Sequence, residues 1–364
     1  MSDSAPLGYR VATRQIHKAR KVKIERMLPG PGEILAQKGQ QVSENDVIGQ
    51  VSFPGAFTIV NVEQALGLQK SDISPFLRKS EHDTLEEGEI IAETQGWLSF
   101  SKKVCRSPVK GKVAAIIGQW LMIETGSEEQ VVKAGVAGQV VDIYPAQSVL
   151  IETMGSYIEA ACGLGGEAQG ILQPVSDDPK ADIDENVVAL TTQPVILLAG
   201  GTISEPAVRK AEKGRVAGVI VGSIDAALLA MSPPPQIPVI ATEGFGNRLM
   251  APETWAILQA RLIKNNLTFI QASRVLTKRP VIFIPGAPAN ETVVEVAPTG
   301  KIVVGSLVRT LREPNAMTWG HVSAFQEQII AGVAHRGAEV NFLDSAPLGY
   351  GSQFVPWLNL EQIG

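Results

Sequence analysis

The chain has only two cysteines, Cys105 and Cys162, and four histidines, His17, His82, His321 and His335, and these shortages set the first limits on its chemistry. Neither cysteine stands in a CxxC or Cys/His spacing. A zinc site and a disulfide framework are therefore not expected, and both thiols read as small buried hydrophobes. Positive charge is also in deficit: 32 Lys and Arg face 37 Asp and Glu, and the net charge of −5 repels nucleic acid and anionic lipid at long range. No segment holds about 18 consecutive apolar residues without a charge, and the opening MSDSAPLGYR has no apolar run. A secretory leader, a membrane span and a membrane partner are not expected, and the expected location is the cytoplasm.

What the chain does hold is a globular composition. Of its 364 residues 45% are hydrophobic and 19% charged, which is too long a chain for one core and too apolar for disorder. Gly and Pro break the first half into short apolar runs, a strand pattern. A basic stretch through Arg10, Arg14, Lys18, Arg20, Lys21, Lys23 and Arg26 reads as a solvated N-terminal arm over residues 1–24. Residues 25–176 read as strands, with a weak repeat between KGQQVSENDVIGQV and EHDTLEEGEIIAET. The acidic DDPKADIDE that follows reads as a linker or exposed loop. From 186 to 290 apolar strands (PVILLAGG, RVAGVIVGS, IPVIATEGFG, RPVIFIPG) alternate with helical segments, predicting a parallel α/β domain with both sheet faces covered. Residues 298–364 revert to β. The fold class expected is multi-domain and mainly β, with one α/β domain.

Three resemblances add shape to this division. The turn-rich layout of residues 25–125, with SPVKGKVAAI at Ser107 to Ile116, resembles a barrel-sandwich hybrid, the fold of biotinyl and lipoyl carrier domains. Carriers modify a lysine at a hairpin tip beside Met; here Lys110 lies in Pro-Val-Lys-Gly without a preceding Met, so covalent attachment is not expected. GKIVVGSLVRTLREPNAMTWGHVSAF resembles the KOW motif of small barrels in NusG-type elongation factors and ribosomal proteins. That resemblance implies a small C-terminal barrel and RNA or protein as its partner; RNA contact there would need local basic residues such as Arg309, Arg312 and Arg336 to overcome the acidic whole. AGVIVGSI and IPVIATEG resemble the swivelling domain of phosphoenolpyruvate-utilising enzymes, but no histidine follows the Gly-Gly turn, so the phosphotransfer nucleophile is missing.

Candidate ligand residues lie where the α/β strands end, because glycines there let backbone N–H groups approach an anion. They are Gly200, Gly201 and Thr202, then Gly222 and Ser223, then Thr242, Glu243 and Gly244. The competing reading is that Ser204 and Asp225 simply cap helices at these points. GLGGEAQG contains GxGxxA, but a strand follows it, so a β-turn is expected there in place of a dinucleotide site. No GxSxG is present, and no catalytic constellation, cofactor or metal site is expected.

The sharpest feature is a duplication. DSAPLGY occurs at Asp3 to Tyr9 and again, identically, at Asp344 to Tyr350. Pro6 and Pro347 restrict the backbone, while Leu7, Leu348, Tyr9 and Tyr350 supply apolar and amphipathic anchors, and Asp3 and Asp344 open each copy. These features predict a non-catalytic binding or assembly protein, a scaffold that self-associates or captures a protein partner. The alternatives are an enzyme or sensor holding a phosphorylated or anionic small molecule at the α/β strand ends, and a transcription- or ribosome-associated factor acting through the C-terminal segment.

Overall fold

The structure, a computed structural model, describes residues 10–68, 72–94, 102–262, 267–272, 278–286, 300–312, 315–343 and 351–364. Strands dominate from the start: β1 (Ala12–Arg14), β2 (Ile16–Met27), β3 (Glu33–Ile34), β4 (Gln41–Val42) and β5 (Val47–Asn61) precede the short helix α1 (Val62–Leu66). Then follow β6 (Thr84–Leu85), β7 (Ile90–Glu93), β8 (Val104–Arg106), β9 (Gly111–Ile117), β10 (Trp120–Lys133), β11 (Gly138–Tyr144), β12 (Ser148–Glu159), β13 (Cys162–Leu164) and β14 (Glu167–Pro174). The middle of the chain alternates: β15 (Val195–Leu198), α2 (Glu205–Lys213), β16 (Gly218–Ile224), β17 (Val239–Phe245), α3 (Pro252–Gln259), β18 (Leu267–Gln271) and β19 (Val281–Pro285). The last part is β20 (Leu307–Thr310), β21 (Trp319–Ile330), β22 (Val333–Phe342), β23 (Ser352–Pro356) and β24 (Leu360–Ile363).

The stretch expected as a solvated arm is instead structural. IHKARKVKIERM pairs antiparallel with β12 from Ile16 to Met27, and Arg14, His17, Arg20 and Arg26 are buried. The basic residues masked an apolar alternation: Val22, Ile24 and Leu28 point into a core, and Lys21 and Lys23 point out. Arg26 is sequestered by Glu167 at 2.5 Å and by the face of Phe269 at 4.9 Å.

The four segments β14, β15, β16 and β17 lie parallel in that order, and β15 and β16, buried along their whole length, are apolar but for Ser223, as a doubly covered strand must be. Alternation divides each strand between two cores. Val195 and Leu197 pack with Ala207, Val208 and Ala211 of α2, whereas Ile196 and Leu198 pack with Trp255, Ile257 and Leu258 of α3. A self-contained parallel α/β domain is nevertheless not what forms. β18 joins β14 antiparallel, β19 joins β18, and β12 then pairs β19, so the parallel strands are one part of an eleven-stranded mixed sheet reaching back to β4. β12 is long enough to hold β11 and β19 in succession on one edge and β2 on the other.

β3, β5, β10, β9 and β6 form a five-stranded sheet, beside the β7–β8 pair, around Val62, Leu66, Leu85, Ile91, Val113, Leu121 and Ile123. The C-terminal strands form a six-stranded sheet in the order β1-β24-β20-β21-β22-β23. No closed barrel is detected among the described residues. An N-terminal strand takes the place next to β24: β1 runs parallel to it, with Ala12, Thr13 and Arg14 opposite Glu361, Gln362 and Ile363. The ends of the chain are thereby knitted into one sheet. No helix among the described residues is long and apolar enough to cross a membrane.

Candidate functional site

The strand ends of the parallel segment carry the predicted anion residues, and the chain itself occupies them. After β15, a β-carbon on Gly200 would lie 1.8 Å from the Pro179 carbonyl oxygen, and one on Gly201 would lie 2.1 Å from Asp182 Oδ1. The Gly201 N–H donates to the Ala181 carbonyl at 2.9 Å, and the Thr202 N–H donates to Asp182 Oδ1 at 2.7 Å. The glycines are therefore needed for close backbone approach, and what approaches is the acidic segment read from sequence as a linker. Its carboxylate sits where an external anion would.

After β16 the same holds. A β-carbon on Gly222 would meet the Gly200 carbonyl oxygen at 2.3 Å and the Met250 nitrogen at 2.5 Å, and Ser223 Oγ accepts from the Arg248 N–H at 2.8 Å. Thr242 donates its hydroxyl to the Val221 carbonyl, and its own carbonyl accepts from Arg14 Nη1 at 2.5 Å. Gly244 adopts φ 103°, a conformation glycine supplies freely. The caps expected from sequence are present: Ser204 accepts from the Ala207 N–H at the start of α2, and Asp225 accepts from the Ala227 N–H at 2.7 Å.

Glu243 is committed to the protein's own groups. Its Oε1 accepts from the Ala251 N–H at 3.1 Å, and its Oε2 meets Arg309 Nη1 at 2.5 Å. Arg309 also donates from Nη2 to Glu361 Oε2 at 2.6 Å, Arg14 Nε lies 3.2 Å from that oxygen, and Arg279 Nη2 holds Glu361 Oε1 at 2.8 Å. Arg14, Glu243, Arg309 and Glu361 are all buried. Burial alone would raise the Glu361 carboxyl, but the adjacent Arg309, Arg14 and Arg279 outweigh it and hold the group below its ordinary value. Burial, with repulsion from Arg309, lowers Arg14 to about 10 against the pull of Glu361 and Glu243.

No family model matches this chain, and no curated protein matches it.

The cluster joins β1, β17, β20, β24 and the approach to β19, and its carboxylates are already committed to guanidinium groups. Such a network fixes how segments meet and offers neither a nucleophile nor a base to a substrate. Sequence reading had used Arg309 as an RNA contact; it is 1% exposed, so it cannot reach a phosphate. Arg312 is exposed, and Arg336 is exposed and paired with Glu327 at 2.9 Å. Lys110 is exposed and meets Glu86 at 2.9 Å. Burial raises both cysteine thiols, Cys162 to about 11, which makes them poor nucleophiles.

Both copies of DSAPLGY, with Asp3, Pro6, Leu7, Tyr9, Asp344, Pro347, Leu348 and Tyr350, lie outside the described residues. Their flanks are described. Arg10 and Val11 separate the first copy from β1, and Gly351 separates the second from β23. β1 and β23 are the two ends of the six-stranded sheet. Sequence reading missed Asp182, Arg14 and Glu361. The repeated aspartates of DDPKADIDE were the available signal for a turn-forming loop that folds back, whereas ion pairs across more than three hundred residues leave no local trace.

Proposed function

We propose that this chain is a non-catalytic binding and assembly protein, a cytoplasmic scaffold that presents the same peptide at both edges of one sheet. The observation that supports this reading is the position of the two DSAPLGY copies, each leading directly into an edge strand of the six-stranded sheet. Edge strands carry unpaired N–H and C=O groups and are natural docking lines. An identical Pro-Leu-Gly-Tyr segment ahead of each edge gives both lines the same side-chain anchor, which suits self-association or a partner with two equivalent receptor surfaces. Within this reading the KOW-like pattern of residues 298–364 and the barrel-sandwich-like layout around the five-stranded sheet serve as docking modules. The filling of the strand-end crest by Asp182 and by residues 248–251 weighs against the small-anion alternative.

The test compares the full chain with one lacking residues 1–9, by light scattering and by pull-down at matched concentration. The truncated chain should fold, since β1 begins at Ala12, and should lose mass in solution or lose partners. Identical mass distributions and identical partner sets would overturn the assembly reading.

A further inference from the structure

A cleft of about 830 Å³ opens between β2, β12, β14 and the residues flanking β18 and β19, away from the strand-end crest. Its size falls in the range of small-molecule sites. The charged side chains on its walls balance: Lys23, Lys278 and Arg279 against Glu25, Glu159 and Glu167. Tyr157 is the single aromatic wall residue among the described residues, so there is no paired stacking platform for a nucleobase. A wall with balanced charges favours a ligand that carries both signs of charge over a simple anion or cation.

Most of these charges are matched across the wall. Lys278 pairs with Glu25, and Arg26 holds Glu167. Glu159 and Arg279 are arranged differently. Glu159 uses Oε2 to accept from the Gln15 N–H at 2.9 Å, and burial raises its carboxyl above the ordinary value against the pull of Arg279 and Arg14. Arg279 uses Nη2 to hold Glu361, and its side chain stays 32% exposed. Each stands in the other's field, yet among the described residues no direct ion pair joins them. Opposite charges that line one cleft without pairing with each other are complementary to an ammonium and a carboxylate borne on one ligand.

We propose that this cleft binds the α-amino-acid head group of a free amino acid, with its carboxylate on Arg279 and its ammonium on Glu159. Tyr157, Gln15 and Gln271 also line the cleft, with Gln271 Nε2 donating to Glu167 at 3.1 Å and its side-chain carbonyl left to accept from the ligand. The proposal does not rest on the edge-strand assembly, although Thr13 of β1 also lines the cleft.

The test uses the full chain in thermal-shift and calorimetric titrations with each of the common L-amino acids at about 10 mM. At least one should raise Tm. Its N-acetyl derivative, which lacks the ammonium, and its methyl ester, which lacks the carboxylate, should each bind at least about tenfold more weakly, as should succinate and 1,4-diaminobutane. Glu159→Gln should weaken the parent amino acid by a similar factor, and Arg279→Gln likewise. Because Arg279→Gln also removes a partner of Glu361, the ligand derivatives on the unaltered chain decide the matter if that variant misfolds. No shift with any amino acid, or derivatives that bind as well as the parent, would overturn the proposal.

Discussion

Arg309 turns two nitrogens, Nε at 3.0 Å and Nη2 at 2.6 Å, onto one oxygen of Glu361, while its third nitrogen holds Glu243 at 2.5 Å. One guanidinium thus fastens the end of β17 to the closing strand of the chain. Removing either partner leaves a buried charge without compensation, which costs about 3–5 kcal/mol. Glu361→Gln and Arg309→Met should each lower the unfolding free energy extrapolated from urea titration by that amount, and their double variant should lose less than the sum, because the two share one interaction. Additive losses would show that the pair is not coupled.

Acid should weaken the same network. The Glu361 carboxyl is held below 4.5, its ordinary value, so its contribution is fully present above that pH and is lost as pH falls through the lower folded value. Glu361→Gln should flatten the stability–pH curve below pH ~4.5.

His17 predicts a second, separate window. Burial, with the Arg20 guanidinium beside it, lowers the ring from 6.5 to about 4, and Arg20 Nη1 lies 2.5 Å from Nε2. The folded ring stays neutral while the unfolded ring takes up a proton, so the unfolded state binds more protons between those values and stability falls as pH drops across them. The loss should be no more than about 3 kcal/mol. His17→Gln should remove the slope in urea unfolding followed between pH 7 and pH 4, and an unchanged slope would assign it to other groups.

The strand-end crest should resist any side chain. Gly200→Ala places a methyl group 1.8 Å from a backbone oxygen and should cost about 3 kcal/mol or prevent folding. Asp182→Ala should cost about 1 kcal/mol by removing the acceptor of the exposed Thr202 N–H. If Asp182→Ala unfolds at the same urea concentration as the parent, the carboxylate is not closing the crest.

The outer face of the five-stranded sheet should behave in the opposite way. Ile59 and Ile117 are 59% and 63% exposed, and Trp120 lies directly across from Ile117. Ile59→Lys with Ile117→Lys should change stability by less than about 0.5 kcal/mol each. The same pair should reduce concentration-dependent association in sedimentation velocity, since an exposed aromatic and aliphatic patch is a contact surface. Unaltered sedimentation would remove this face from the assembly.

Local sequence determined much of the secondary structure. Three of the four apolar runs became the parallel strands β15 to β17, because a strand buried on both faces has no polar side to show, whereas the fourth, RPVIFIPG, became β19 and pairs antiparallel with β18 and β12. Ser204 and Asp225 capped the turns that follow β15 and β16 because their short side chains reach backbone N–H groups two or three residues on. The glycines at 200, 201 and 222 marked close backbone approach, but whether a ligand or the chain itself would approach depended on the path of residues 178–183 and 248–251. Tertiary structure alone decided that the parallel strands would continue into β18, β19 and β12, and that residues 16–27 would pair with β12 in place of forming an arm. It also decided that Arg14, Arg309 and Glu361 would meet. The physical reason is that hydrogen-bonding pattern and capping act over a few residues and are written in order along the chain, whereas strand neighbours and buried charges are chosen among all segments at once by which surfaces fit and which charges find partners.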